Sequence, residues 1–347
     1  MRSSTYSSGS SFSSRKAQVA AGAAVAVALV FGVQPAVADV FQDVINPGDP
    51  TFNQELGINN SGTIAGYFGS GAAGHPNQGY TTTPSYTSFT SENFPASVQT
   101  QVTGINDSGT TVGFWSNTNL GPPMDSNFAF VDVGGVFTTA DDPNVATTGT
   151  ITDQLLGVNN SNVAVGFYVD ASGNTYGYLY NINTGTFSAP ISDPSGMPGT
   201  TTAAAINNSG EIAGFYTNAT TGLVDGFIDN GGTFSTIAVP GAMSTTLLGI
   251  NDNGLAVGVD TYSSGLMFGL VCSISTLTCV QESDPNGTGT TTFNGINDLD
   301  QIVGFYTNGA GNVIGLVTTV PEPSTMTLLL SGLAGLATVR FRRRRAT

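Results

Sequence analysis

Six copies of one short motif recur along the chain, and this repetition constrains the fold more than any other feature. Each copy reads Gly/Ala-Ile/Val-Asn-Asn/Asp, is followed a few residues later by Gly, and usually ends in an aromatic pair. The copies begin 44 to 53 residues apart. Their first residues are Gly57, Gly104, Gly157, Ala205, Gly249 and Gly295. Such a period predicts one supersecondary unit that buries its apolar faces by stacking on its neighbours.

Each repeat divides into four short predicted strands, here called A to D. Strand A is Thr-rich and ends at Ile-Asn, and the Asn-rich step after it favours a tight turn because Asn and Gly tolerate positive φ. Strand B carries the Gly and the aromatic pair, whereas 128–131 and 234–239 are examples of strands C and D. A proline follows each D-like segment, at Pro47, Pro95, Pro143, Pro194, Pro240 and Pro285. Four antiparallel strands per repeat predict an all-β, six-bladed β-propeller.

The phase of the repeats predicts how the ring closes. The D-like segment 41–46 precedes the first strand A, whereas the sixth repeat reaches residue 319 with strands A, B and C only. We therefore expect the N-terminal segment to supply the outer strand of the last blade. The alternative, an open or solenoid array, needs capping units at its ends, and the terminal repeats here look complete.

The repeat also resembles a known extracellular type. Its Ile-Asn half is similar to the HAF repeat, which reads Ile-Asn-Asp-x-Gly-x-x-Val-Gly followed by His-Ala-Phe. The segment Phe128-Ala129-Phe130 keeps part of the second element, but no copy keeps the His. The resemblance implies an extracellular repeat protein.

The distribution of charge excludes several function classes. All eight Lys and Arg residues lie near the ends, while 22 of the 23 acidic residues lie between 39 and 319. A body without cationic side chains cannot neutralise phosphates, which excludes nucleic-acid binding and argues against nucleotides and anionic lipids as ligands. We expect no cofactor and no specific metal. The acidic surface would attract Ca²⁺ only weakly.

Residues 1–38 are predicted to be a secretory signal peptide. The apolar run 19–33 follows two basic residues and precedes an A-x-A cleavage pattern. The residues at the cleavage site are Ala36, Ala38 and Asp39. Cleavage there would leave 39–319 as the propeller body. A retained N-terminal anchor is the alternative, but the run is short for a membrane span.

The C-terminal end, 320–347, has three consecutive parts. A Pro-Glu-Pro motif at 320–324 precedes an uncharged apolar stretch at 325–339 and a basic tail at 340–345. The motif residues are Val320, Pro321, Glu322, Pro323 and Ser324. As a helix the stretch is about 22 Å long, against a hydrocarbon core of about 30 Å, so it would span a thinned bilayer with the basic tail inside the cell.

This end resembles the PEP-CTERM sorting signal. The resemblance implies recognition by an exosortase, a membrane-embedded transpeptidase-like enzyme, after transport by the secretion machinery. It further implies a Gram-negative, exopolysaccharide-producing bacterium, a transient membrane anchor through the C-terminal helix, and exopolysaccharide as a candidate partner. An ordinary tail anchor that begins with Pro-Glu-Pro is the alternative.

Cys272 and Cys279 flank a short loop on the predicted C–D hairpin of the fifth repeat. Two cysteines that face each other across a hairpin of an exported protein predict a disulfide. A metal pair is disfavoured because no His lies near them in the sequence.

Candidate chemistry is sparse elsewhere. The aromatic pairs, such as Phe114-Trp115, are interpreted as core packing rather than as sugar platforms, and Val259-Asp260 replaces the pair in the fifth repeat. Asp298-Leu299-Asp300 approaches a Ca²⁺ loop but lacks its acidic spacing, so a turn is the preferred interpretation. Any Ser-His-Asp triad would have to use the single His, His75, which lies in a Gly-rich loop and is interpreted as solvated rather than catalytic.

Carboxylates in the loops between strands D and A leave one enzymatic alternative open. They are Asp141, Asp142, Asp193 and Asp284. Paired carboxylates hydrolyse glycosides, although an Asp before Pro is more simply a turn residue. These loops and the long B–C loops share one face, which is the candidate binding surface. The sequence thus predicts a non-enzymatic surface or biofilm-matrix protein with a structural or binding role; the alternative is a carbohydrate-active enzyme.

Overall fold

The computed structural model describes residues 40–121 and 123–319. The predicted signal-cleavage residues, the sorting motif 320–324, the apolar stretch 325–339 and the basic tail lie outside the described residues. Among the residues that are described, no helix has the length and apolarity needed to cross a membrane.

The described chain is all β, and its strands repeat in the order A, B, C, D. The A strands are β2 Asn53–Ile58, β6 Gln99–Ile105, β10 Asp153–Val158, β14 Thr202–Ile206, β18 Ser244–Ile250 and β22 Thr291–Ile296. The B strands are β3 Ile64–Phe68, β7 Thr111–Ser116, β11 Val163–Val169, β15 Ile212–Thr217, β19 Leu255–Thr261 and β23 Gln301–Thr307. The C strands are β4 Gln78–Thr82, β8 Phe128–Val133, β12 Thr175–Asn181, β16 Val224–Asn230, β20 Met267–Ser273 and β24 Val313–Thr319. The D strands are β5 Phe89–Ser91, β9 Val136–Thr139, β13 Thr186–Phe187, β17 Thr233–Ile237, β21 Thr278–Glu282 and β1 Gln42–Val44.

These strands form a β-propeller-like ring of antiparallel sheets, but the expectation of six separate blades is wrong. Four blades are separate four-stranded sheets, whereas the fourth and fifth repeats share one eight-stranded sheet. The two halves of that sheet are joined by one parallel pair, Val224 with Ser244. Isolated parallel bridges of the same kind, such as Thr175 with Thr200, occur at other seams. The shared sheet therefore arises because a strand C lies close to the start of the next strand A.

The predicted closure by the N-terminal strand is confirmed. Strand β1 pairs antiparallel with β24, with Gln42 opposite Val317 and Val44 opposite Gly315. The order β1-β24-β23-β22 makes this sheet the closing blade. Val44 is fully buried, and Tyr306 donates a hydrogen bond of 3.0 Å to Asp43 Oδ1. The first and last described strands thus hold each other.

The glycine that opens five of the six motifs lets the A strands meet at the axis of the ring; the fourth motif opens with Ala205. A Cβ added to Gly57 would lie 3.0 Å from Gly104 Cα, and one added to Gly104 would lie 2.9 Å from Gly157 Cα. The same contact closes the ring between Gly295 and Gly57. Backbones can approach this closely only where side chains are absent.

Two rings of hydrogen bonds encircle the axis at the A–B turns. In the first ring, each motif Asn donates its Nδ2 to the backbone oxygen of the next motif Asn. The members are Asn59, Asn106, Asn159, Asn207, Asn251 and Asn297, and the last bonds to the first. In the second ring, the backbone N–H of the following residue donates to Oδ1 of its equivalent in the next repeat. The members are Asn60, Asp107, Asn160, Asn208, Asp252 and Asp298. The motif therefore both turns the chain and joins the repeats.

The seams between neighbouring repeats are filled by one side chain of each strand A. Five of these six residues are apolar and fully buried: Val102, Leu155, Ala203, Leu247 and Phe293. The sixth is Glu55, which is also fully buried and lies at the seam with the closing blade. The first repeat thus places a carboxyl group where its equivalents place hydrocarbon.

Candidate functional site

The faces of the ring differ in what they display. The A–B and C–D turns lie at one end of the strands, here called the turn face. The B–C and D–A loops lie at the other end, the loop face, as the sequence predicted. Two cavities of about 70 Å³ each lie on the axis and are too small for more than a few waters.

A larger cavity of about 340 Å³ opens on the loop face of the first three repeats. Its lining combines amides, hydroxyls and aromatic rings with a single carboxylate. The lining residues are Tyr67, Ser70, Gly71, Asn77, Gln99, Thr100, Gln101, Phe114, Trp115, Ser116, Pro123, Asp125, Asn127, Thr152 and Gln154. We call it the loop-face cavity.

Asp125 organises one wall of the loop-face cavity. Its carboxylate accepts hydrogen bonds from Thr118 Oγ1 at 2.7 Å, Leu120 N at 2.8 Å and Gly121 N at 3.0 Å. Gln99 Nε2 adds a fourth bond of 3.0 Å. Partial burial raises the pKa of Asp125, but these donors outweigh it and hold the pKa below the ordinary value. Asp125 is therefore an anion that shapes the B–C loop and is poorly suited to donating a proton.

Trp115 and Asn77 present unpaired polar atoms among the cavity residues. The Trp115 ring stacks on Phe94 with centroids 4.5 Å apart, and its buried Nε1 has no hydrogen-bond partner within the described residues. Asn77 is 3% exposed, and its buried Oδ1 is likewise unpartnered there. One group is a donor and the other an acceptor. Because buried polar groups are nearly always satisfied, each of these two atoms calls for a partner of its own, such as an ordered water.

The aromatic pairs mostly serve the core, as predicted. One member is buried in each of the five pairs: Tyr67, Phe114, Tyr168, Tyr216 and Tyr306. The second repeat differs, because both Phe114 and Trp115 line the loop-face cavity. Sequence reasoning missed that role, although Trp115 is the only tryptophan in the chain.

The loop carboxylates considered for glycoside hydrolysis act as turn residues. Oδ1 of Asp142, Asp193 and Asp284 accepts the N–H two residues later, at 2.7 to 2.8 Å. Asp141 Oδ1 accepts Ala129 N at 2.8 Å. None of the four lines the loop-face cavity. The structure therefore does not pair them across a pocket.

A hydrogen bond recurs in every repeat at the residue that precedes the proline between strands D and A. The N–H of each residue before proline is bound by a polar side chain at the start of the next strand A. These acceptors are Asn53, Thr100, Asp153, Thr201, Thr245 and Thr291. Asp153 also accepts Tyr178 Oη at 2.7 Å, and burial raises its pKa to about 7. Only alignment of the repeats, where Asp replaces Thr or Asn, could have revealed this group.

The remaining predicted positions have local roles. His75 is exposed, and Asp298-Leu299-Asp300 forms an A–B turn. Asp260 of the fifth repeat is buried and accepts Gln281 Nε2 at 2.5 Å. Cys272 and Cys279 face each other across β20 and β21 and are joined by a disulfide. Within 40–121 and 123–319, no group of three or more His, Cys, Asp or Glu side chains could hold a metal ion.

Comparison with solved structures supports the fold alone. A Hadza microbial sialidase superposes with a TM-score of 0.50 at 13% identity, over 81% of this chain and 68% of that chain. A putative TolB from Agrobacterium tumefaciens gives 0.48 at 11% identity, covering 79% of this chain and 92% of the other. A mutant of the Aleuria aurantia lectin, in complex with Fucalpha1-6GlcNAc, gives 0.46 at 12% identity, covering 79% and 98%. No curated protein is significantly similar to the chain.

A family model does match the C-terminal end. It is the PEP-CTERM protein-sorting motif, and it matches residues 319–345. The matched region includes the Pro-Glu-Pro sequence, the apolar stretch and the basic tail. The chain therefore carries a PEP-CTERM protein-sorting motif, which implies an exported, envelope-associated protein that an exosortase recognises and processes.

Proposed function

We propose that this protein is a non-enzymatic binding module of the cell surface or biofilm matrix of a Gram-negative bacterium, and that its loop-face cavity binds exopolysaccharide. In this proposal residues 1–38 direct export, residues 39–319 form the binding body, and residues 320–347 are the sorting signal. The observation that carries the proposal is one polar cavity that Phe114 and Trp115 line together with the amide side chains of Gln99, Gln101 and Gln154.

The chemistry of the cavity favours a neutral, hydroxylated ligand. A sugar combines hydroxyls that both donate and accept with an apolar ring face, which suits a lining of amides, hydroxyls and aromatic rings. The described chain contains no Lys or Arg, and the cavity already holds the Asp125 carboxylate. An anionic sugar would therefore meet repulsion without a counter-ion.

Binding is favoured over hydrolysis for a related reason. Glycoside hydrolases ordinarily use two carboxyl groups, one of which must donate a proton. Among the described residues, Asp125 is the only acidic one that lines the loop-face cavity, and four donors hold it as an anion.

The single tryptophan provides a direct assay. Neutral oligosaccharides prepared from the exopolysaccharide of the host should change the emission of Trp115 saturably in the mature protein. The variant Gln101→Ala removes an amide from the lining and should weaken binding roughly 3- to 10-fold. Asn183→Ala, an exposed amide on the turn face, is the matched control and should bind normally. Absence of saturable binding by fluorescence and calorimetry, with neutral and acidic fragments alike, would refute the proposal.

A further inference from the structure

The closing blade brings three chain segments to one corner of the turn face. Gln301, just after the last A–B turn, pairs with Thr319, where the described chain ends. On the other side of β24, Gln42 pairs with Val317, so Val40 lies at the same end of the sheet. Adjacent strands are about 4.8 Å apart. The start of β1, the end of β24 and the turn 297–300 therefore lie side by side.

The sorting motif begins directly at this corner. It occupies residues 320–324, and the apolar stretch predicted to enter the membrane begins at 325. Six residue steps from Thr319 span at most about 20 Å of extended chain. An enzyme that recognises the motif while the ring is folded must therefore work within that distance of the turn face.

The last A–B turn differs from the others in the residue that it presents there. The third turn residue is polar in the first five repeats: Ser61, Ser108, Ser161, Ser209 and Asn253. In the sixth repeat it is Leu299, which is 65% exposed. Its backbone N–H donates to Asn297 Oδ1 at 3.0 Å, as the equivalent N–H does in four other repeats, so the apolar side chain is not needed to form the turn.

A second large apolar side chain is exposed two strands away. Val40 is 68% exposed at the start of the segment that leads into β1. We call Val40, Leu299 and the chain end at Thr319 the closing corner. Single exposed apolar side chains are common on protein surfaces, so what distinguishes these two is their position beside the sorting motif.

We propose that the closing corner is a docking surface for the membrane-embedded exosortase, with Leu299 as its apolar anchor. This inference rests on the exosortase processing that the sorting motif implies. A protein partner is favoured over the bilayer itself because Asp298 and Asp300 flank Leu299 and would be repelled by anionic headgroups.

The same geometry orients the ring before processing. Strand B of each repeat runs from the turn face to the loop face, and the loop-face cavity lies at the ends of β3 and β7. The closing corner lies at the opposite end of the strands. While the precursor is anchored by its C-terminal end, the cavity therefore points away from the membrane and is open to ligand.

Pulse–chase labelling of the full-length precursor in its native host tests the docking surface. The variant Leu299→Ser installs the residue that four other turns carry, and we expect processing to slow at least threefold. Val136→Ser is the matched control, because Val136 is 67% exposed on the turn face of the second repeat. This control should be processed at the wild-type rate, and both mature variants should melt at the wild-type temperature.

The possible outcomes distinguish a failure of the docking surface from a failure of exosortase processing itself. Glu322→Ala tests the motif, and normal processing of that variant would overturn exosortase processing and the docking surface together. Blocked processing of Glu322→Ala with a wild-type rate for Leu299→Ser would overturn the docking surface alone. Equal slowing by Leu299→Ser and Val136→Ser would also overturn it. Leu299-dependent flotation of the mature protein with vesicles of phosphatidylethanolamine and phosphatidylglycerol would overturn the proposal, because it would show that the closing corner contacts the bilayer rather than the exosortase.

Discussion

The phenol of Tyr80 donates a hydrogen bond of 2.5 Å to Oε1 of Glu55 at the seam between the first repeat and the closing blade. Oε2 of the same carboxyl is buried and has no partner among the described residues. Burial raises the pKa of Glu55 to about 8, although the bond from Tyr80 lowers it. Tyr86 is the other titratable group whose pKa the charge of Glu55 raises. No Lys or Arg lies in the described range to stabilise the ionised carboxylate. Glu55 therefore carries a proton at neutral pH.

Glu55 should make the free energy of unfolding depend on pH. The unfolded chain releases this proton near pH 4.5, whereas the folded chain keeps it until about pH 8. Between these values the unfolded state binds fewer protons, so stability falls by roughly 1.4 kcal/mol per pH unit from this group. The contribution is fully present below pH 4.5 and is lost as the pH rises towards 8. Urea unfolding at several pH values measures it.

Two variants isolate the contribution of Glu55 from that of other buried acids, such as Asp153. Glu55→Gln and Glu55→Leu both remove the titration, and Leu is the residue of two equivalent seams. The free energy of unfolding of each variant should depend less on pH than that of the wild type. At pH 8, Glu55→Leu should be more stable than the wild type. A pH slope identical to that of the wild type in both variants would contradict the assignment.

Removing the exchanged strand should open the ring. Deletion of residues 40–46 from the mature protein removes β1 and exposes the outer edge of β24, and it empties the site of the fully buried Val44. We expect a loss of several kcal/mol, since one apolar core residue alone is worth roughly 2 kcal/mol. Differential scanning calorimetry measures the loss. A synthetic peptide of residues 39–46 should restore much of it in trans, and indifference to the deletion would show that β1 does not close the ring.

The first hydrogen-bond ring should contribute more to the free energy of unfolding than the second. Asn159→Ala removes a buried amide that accepts from Ser161 N and Val163 N and donates to Asn207 O. It should cost roughly 2–4 kcal/mol, because buried partners are left unpaired. Asn160→Ala removes exposed bonds only and should cost less than about 1 kcal/mol. Chemical denaturation compares them, and equal costs would refute this division of roles.

Reducing the disulfide should have a small effect. Cys272 and Cys279 are separated by 7 residues and already face each other in the hairpin of β20 and β21. Closing so short a loop stabilises by about 2–3 kcal/mol at most. The melting temperature with and without reductant measures this, and Cys272→Ser with Cys279→Ser is the unreducible control. Unfolding on reduction would mean that the bond holds more than its own hairpin.

Much of the fold follows from the repeat. The Gly-Ile-Asn motif marks the A–B turns, and the offset of the D-like segment 41–46 predicts the β1–β24 pair. These features can be predicted from the sequence because each one depends on a local requirement, such as a tight turn or a close approach at the axis, that recurs along the chain. The number of separate sheets was not readable, since a single pair between Val224 and Ser244 merges two repeats.

The candidate site was predictable only as a face. The loop-face cavity depends on side chains from three repeats, and several of them, such as Asn77, Trp115 and Asp125, lie at positions where the repeats differ from one another. Periodicity carries no information at such positions. Glu55 was overlooked for a related reason: its acidity is notable only beside the apolar residues that fill the equivalent seams.

The position of β24 has a mechanical consequence. A pull transmitted through the C-terminal end of the body would act first on β24, which lies between β23 and β1 in the closing blade. Its partners hold it on both edges, so extraction would have to shear two ladders at once rather than peel one edge strand. A body tethered in this way would meet flow with a strand that is paired along both edges.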